Sequence, residues 1–136
     1  MTKPTPPHAL DFAVLQELYS PRLVSLVEAA LAYPESSLEA PWDFPLVKTG
    51  GKILCMLNED ANGLRFTCKL RESHTQVIER PDITPTGHGL GKHGWIDQLT
   101  PHGEALDTET LLAWMEESFR LVAPKRLIKA WDARHT

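Results

Sequence analysis

The chain has 136 residues, 14 of them lysine or arginine and 18 aspartate or glutamate, for a formal net charge of −4. That length suits one hydrophobic core rather than two, and a composition 42% hydrophobic and 24% charged excludes a disordered chain, a collagen and a disulfide scaffold. A surplus of carboxylates excludes a generic polyanion binder, whose affinity comes from basic side chains displacing counterions, so any nucleic-acid contact has to be local. Residues 1–9, with three prolines and little apolar content, are expected to form a flexible tail ahead of a single domain over 10–126. Leu10 to Leu18 suits either a short helix or an irregular arm. Ser20 as a cap, Pro21 at the first helical position and the stripe Leu23, Leu26, Val27, Ala30, Leu31 predict an amphipathic helix ending before Pro34.

Phe44 to Lys48 and Ile53 to Leu57 read as strands. Leu64, Phe66, Cys68 and Leu70 alternate with Arg65, Thr67 and Lys69, which predicts a half-buried strand, and the stretch 58–63 supplies the turn of a β-hairpin. Ser73-His74-Thr75-Gln76 has the spacing of a capping box and predicts a short helix stopping before Pro81. Residues 81–103 carry three prolines and five glycines around Leu90, Trp95, Ile96 and Leu99, which reads as a second hairpin. Asp107 caps a last helix whose face is formed by Leu111, Leu112, Met115, Ser118, Phe119 and Val122 and which Pro124 ends. From Lys125 the chain turns basic and can continue helically, and 127–136 is taken as a basic C-terminal tail. This order predicts an α+β fold: a two-layer α-β sandwich, with helices covering one face of an antiparallel sheet.

Several stretches resemble the MmcQ/YjbR family: Pro41-Trp42 with Phe44, Lys48-Thr49-Gly50-Gly51-Lys52-Ile53, Ile83-Thr84-Pro85, Leu90-Gly91-Lys92-His93-Gly94-Trp95, and Glu116-Glu117-Ser118-Phe119 followed by Pro124-Lys125-Arg126. The resemblance covers about residues 20–126. It implies a CyaY/frataxin-like form of the sandwich and DNA binding through two β-hairpin wings, and it implies no established reaction. The chain departs from the pattern at the first wing, whose tip carries Glu59 and Asp60 and is expected to repel phosphate.

Charge is unevenly spread: residues 1–64 sum to −4, 65–95 to +2, 96–119 to −6 and 120–136 to +4. The two positive segments supply the candidate nucleic-acid contacts, His88, Lys92 and His93 in a glycine-rich loop and Lys125, Arg126 and Lys129 near the C-terminus. Glycine lets a loop backbone approach a phosphate closely, although it equally serves the sterics of a plain hairpin turn. Cations after a helix are also favoured by its dipole alone. Gly89 to Gly94 matches G-x-G-x-x-G in letters but lacks the strand before and helix after that a dinucleotide site needs.

Trp131 can stack on a base or dock on the protein itself, while Trp42, Trp95 and Trp114 are expected in core or rim packing. Cys55 and Cys68 lie in apolar strand patterns and are expected to be inert free thiols. No metal-ligand spacing, catalytic triad or cofactor motif is recognisable, and the helix over 21–33, with Glu28 against Arg22, is too poor in carboxylates for iron delivery. The expectation is a non-enzymatic cytoplasmic protein without a cofactor or membrane role, binding DNA weakly. The alternative is a protein-interaction or small-ligand module using one exposed sheet face or the Trp95 hairpin. Its oligomeric state is open.

Overall fold

The structure, a computed structural model, describes residues 6–7 and 10–135. Most of the expected N-terminal tail lies outside the described residues. The segment left open at Leu10 to Leu18 is helical: α1 spans Phe12–Leu18, with the Asp11 carboxylate accepting from the Val14 amide. α2 spans Pro21–Leu31 with Ser20 as its cap, and buries Leu23, Leu26, Val27 and Ala30. Six strands follow: β1 (Ser36–Glu39), β2 (Leu46–Thr49), β3 (Lys52–Asp60), β4 (Gly63–Lys69), β5 (Ile83–Pro85) and β6 (Trp95–Pro101). They form one antiparallel sheet in the order β1-β2-β3-β4-β6-β5. Short α3 (His74–Val77) precedes β5, and α4 (Thr108–Val122) and α5 (Lys125–Arg134) close the chain.

α4 packs against β3 and β4 and α2 against β1, β2 and β3, and the core between helices and sheet holds Leu57, Leu64, Phe66, Leu111, Met115 and Phe119. This is the two-layer α-β sandwich expected. The opposite face of the sheet carries a smaller cluster, Leu46, Met56 and Trp95, flanked by Phe44, Ile53, Leu90 and Val122. A bulge in the β2–β3 ladder pairs Val47 with Cys55 and Lys48 with Ile53 and leaves Leu54 extra. The freed Leu54 carbonyl accepts from the Ser118 hydroxyl (2.7 Å), whose oxygen in turn accepts from the Lys69 amide (3.1 Å). One buried serine of α4 therefore fastens both central strands where their ladder ends.

The structure departs from the sequence pattern in several places. The first hairpin turn is tighter than 58–63, because Asp60 pairs with Gly63 and the strand continues through Glu59. Glu59 faces the helices rather than the tip: it is buried and accepts from the Ser20 amide (3.0 Å) and hydroxyl (2.5 Å). The capping box over 73–76 does not form, since the Ser73 hydroxyl donates to Glu117 (2.6 Å) instead. Trp114, not Leu112, lines the buried face of α4, and Leu112 is exposed. Trp42 is neither core nor rim, with 57% of its surface exposed.

The basic stretch after Pro124 does continue helically, through Arg134, but instead of trailing as a tail it packs on the domain. Leu127 is 4% exposed, and Trp131 stacks on Tyr33 at 4.2 Å between ring centroids. No helix among the described residues is long and apolar enough to cross a membrane.

Candidate functional site

Strand register divides the molecule into two ends. Lys52 opens β3, Lys69 ends β4, Pro85 ends β5 and Trp95 opens β6, so the antiparallel pairings gather these positions at one end of the sheet. The β2–β3 turn is there too, with Gly50 at φ 55° and Gly51 at φ 80°. Two successive positive φ values are the signature of a tight hairpin turn that only glycine-like residues enter cheaply. The far end holds the β3–β4 turn with Asp60, the last residues of β6, and Glu104 and Asp107 ahead of α4.

The loop joining β5 to β6 tips the first end. His88 there adopts φ 58°, and Lys92 and His93 lie exposed in a 3-10 turn, Gly91–His93. Gly94, at φ 96°, offers its carbonyl to the Leu70 amide (2.9 Å), and a Cβ there would sit 2.4 Å from the Leu70 oxygen. Glycine is therefore required where the loop closes onto the end of β4. Val122, at the end of α4, packs with Leu90 and Ile53 on the small cluster, while Pro124 and Leu127 meet the Gly50 turn. That packing carries Lys125 to the same end as Lys92, with Lys129 one helical turn further along α5.

Carboxylates neutralise part of this set. Both terminal nitrogens of Arg126 donate to the Glu35 carboxylate, and these bonds hold Glu35 below the usual carboxylate range. Arg120 is likewise taken up by Asp132 (2.6 Å) and Glu116 (3.2 Å). Lys52, Lys69, Arg71, Lys92, Lys125 and Lys129 make no ion pair among the described residues. The two hairpin tips expected to act as paired wings point to opposite ends, because β4 runs between them. The turn that shares the end of the 86–94 loop is Gly50–Gly51, and Lys52 beside it joins the unpaired cations.

A groove of about 520 Å³ lies on the helix-free face, at the centre of the sheet. Its floor is two rows of side chains set by register: Met56, Thr67 and Asp97 in one, Asn58 and Arg65 in the next. Trp42 and Phe44, in the loop before β2, wall one side and Thr86 to Leu90 wall the other. One Asp97 oxygen, Oδ1, accepts from both the Thr67 hydroxyl (2.8 Å) and the Thr86 hydroxyl (2.7 Å). Sequence reasoning missed this groove because its lining comes from three strands and two loops. The available signals were Asp97 alternating with buried Ile96 and Gln98, and Arg65 and Thr67 on the wet side of β4.

Neither buried cysteine is an activated nucleophile. Burial pushes the Cys55 thiol up to about 12 and, with Cys55 and nearby carboxylates adding to it, raises Cys68 as well, so both stay protonated at neutral pH. Trp131 has taken the self-docking role rather than a free stacking position.

Fold and surface together define a small α-β sandwich with one cationic end and one open sheet face. A family model described as YjbR matches residues 31–121, most of the chain, and the protein belongs to that family. No curated protein matches the chain.

Proposed function

We propose that the protein is a non-enzymatic, cytoplasmic binder of nucleic-acid phosphates, acting weakly and electrostatically through the cationic end of its sheet. The observation that carries this reading is the convergence of Lys52, Lys69, Lys92 and Lys125 at that end without carboxylate partners among the described residues, in a chain whose overall charge is −4. Lys129 and Arg71 border the patch, and His88 and His93 offer further donors beside it. Arg126 drops out of the contact set because Glu35 holds it. The same reading takes the sandwich as frataxin-like in type.

About four phosphate contacts give a log–log salt slope of roughly −4 on duplex DNA. Fluorescence anisotropy with a labelled duplex at low and moderate salt is expected to return that slope, and Lys92→Ala combined with Lys125→Ala is expected to flatten it by about two. Absence of binding at low salt, or a slope indifferent to the double substitution, overturns the reading. The open groove favours a second reading, a small-ligand module.

A further inference from the structure

The geometry points to the groove on the helix-free face as a binding site for a guanine base. This inference goes beyond the phosphate-binding reading and stands without it. Small-ligand sites are concave, of roughly 300–1,000 Å³, mostly apolar, with a few convergent polar groups. The groove has that size, an apolar share from Trp42, Phe44, Met56 and Leu90, and polar groups of both kinds.

The polar groups select the ligand. Asp97 spends Oδ1 on two threonine hydroxyls, which fix the carboxylate, and Oδ2 has no partner among the described residues. It is a free, oriented acceptor. Asn58 uses its side-chain oxygen to accept from the Glu59 amide (2.9 Å), leaving its NH2 donors unused. Arg65 has one long contact, 3.8 Å to Asp60, and most of its five donors remain open.

Asn58 and Arg65 are directly opposed across β3 and β4, and Asp97 lies one row along and one strand over. Two residues along a strand and one strand across make a diagonal of about 8 Å. That spacing suits a flat bicyclic ring presenting donors on one edge and acceptors on another. Guanine is such a ring: its N1–H and 2-amino group can both donate to the one free Asp97 oxygen, Oδ2, and its O6 and N7 suit Arg or Asn donors. Adenine and hypoxanthine lack the 2-amino donor. Trp42, the most exposed large apolar side chain among the described residues at 57%, is then a stacking wall, a role that accounts for an indole the core does not use.

The base can belong to a mononucleotide or to an unpaired strand, and the test separates these sources. Calorimetric titration at about 0.15 M salt compares GMP, IMP and AMP, guanosine without phosphate, and short single strands rich in dG or in dA. GMP is expected to bind, with IMP and AMP each about tenfold weaker or worse. Guanosine retaining the preference assigns it to the base, and a dG strand binding more tightly than GMP assigns the source to nucleic acid. Asp97→Asn is expected to erase the difference between GMP and IMP. Because Asp97 also anchors two threonines, the exposed Trp42→Ala provides a second variant that leaves the fold intact and lowers GMP affinity about tenfold. Equal affinities for GMP, IMP and AMP, binding untouched by Trp42→Ala, or no binding by any of these probes overturns the inference. Lys92→Ala with Lys125→Ala leaves guanosine binding unchanged, so loss of the phosphate-binding reading is distinguishable from loss of this one.

Discussion

The carboxylate of Glu117, on α4, accepts from the Ser73 hydroxyl (2.6 Å) and from the amides of Arg71 (2.7 Å) and Ser73 (3.2 Å). It thus satisfies backbone donors in the turn between β4 and α3, which explains why Ser73 does not cap its own helix. Burial raises the Glu117 carboxyl, but these hydrogen bonds outweigh it and hold the group below its ordinary range. A carboxyl depressed in the folded state stabilises fully above its unfolded value and loses that contribution as pH falls through the folded one. Glu117→Gln is therefore expected to lower the urea midpoint at pH 7, with the gap from wild type closing below about pH 4. A gap that persists unchanged at pH 3 contradicts this assignment. Local chemistry of this kind hides in a sequence: Ser73 and Gln76 have the letters of a capping box, and the competing partner is 44 residues away.

Among the elements, α2 was the most legible, because Ser20, Pro21 and its apolar stripe all lie within one local window. β1 was not legible: Ser36–Glu39 is short and polar, and becomes a strand only by pairing with β2, Ser36 opposite Thr49 and Glu39 opposite Leu46. α5 illustrates a third case. Its sequence reads as charged, yet Leu127, Ile128 and Trp131 fall on one side and meet the core, with Trp131 against Tyr33 and, at 5.8 Å, Phe119. Arg120 and Asp132 tie α5 to α4 from outside. Truncating the half-buried indole with Trp131→Ala is expected to cost about 2 kcal/mol in urea unfolding, within one cooperative transition. A loss below about 0.5 kcal/mol, the level of an ordinary surface change, places α5 outside the cooperative unit.

At the scale of the whole molecule, the sheet separates charge. β3 alone has Lys52 at one end and Asp60 at the other, about 26 Å apart at 3.3 Å per residue. That is several Debye lengths at physiological salt, about 8 Å each, so the acidic end barely weakens a phosphate bound at the cationic end. Lys52→Glu is accordingly expected to weaken duplex binding about tenfold in anisotropy titrations, whereas Asp60→Asn changes it by less than twofold. Equal effects from the two substitutions contradict binding at one end. Segment charges in the sequence hinted at this polarity, but only the register of β3, β4 and β6 brings residues 52, 69 and 95 side by side.

The margins of the sheet carry a further consequence. Its outermost strands are four and three residues long, and the shorter ends in Pro85, which has no amide hydrogen to offer. Long rows of open amides invite a stranger's backbone to zip alongside, and here each row stops almost as soon as it begins. A seventh strand from another molecule finds scarcely any template, so a protein with a sheet this wide is guarded against growing into a fibre from either margin.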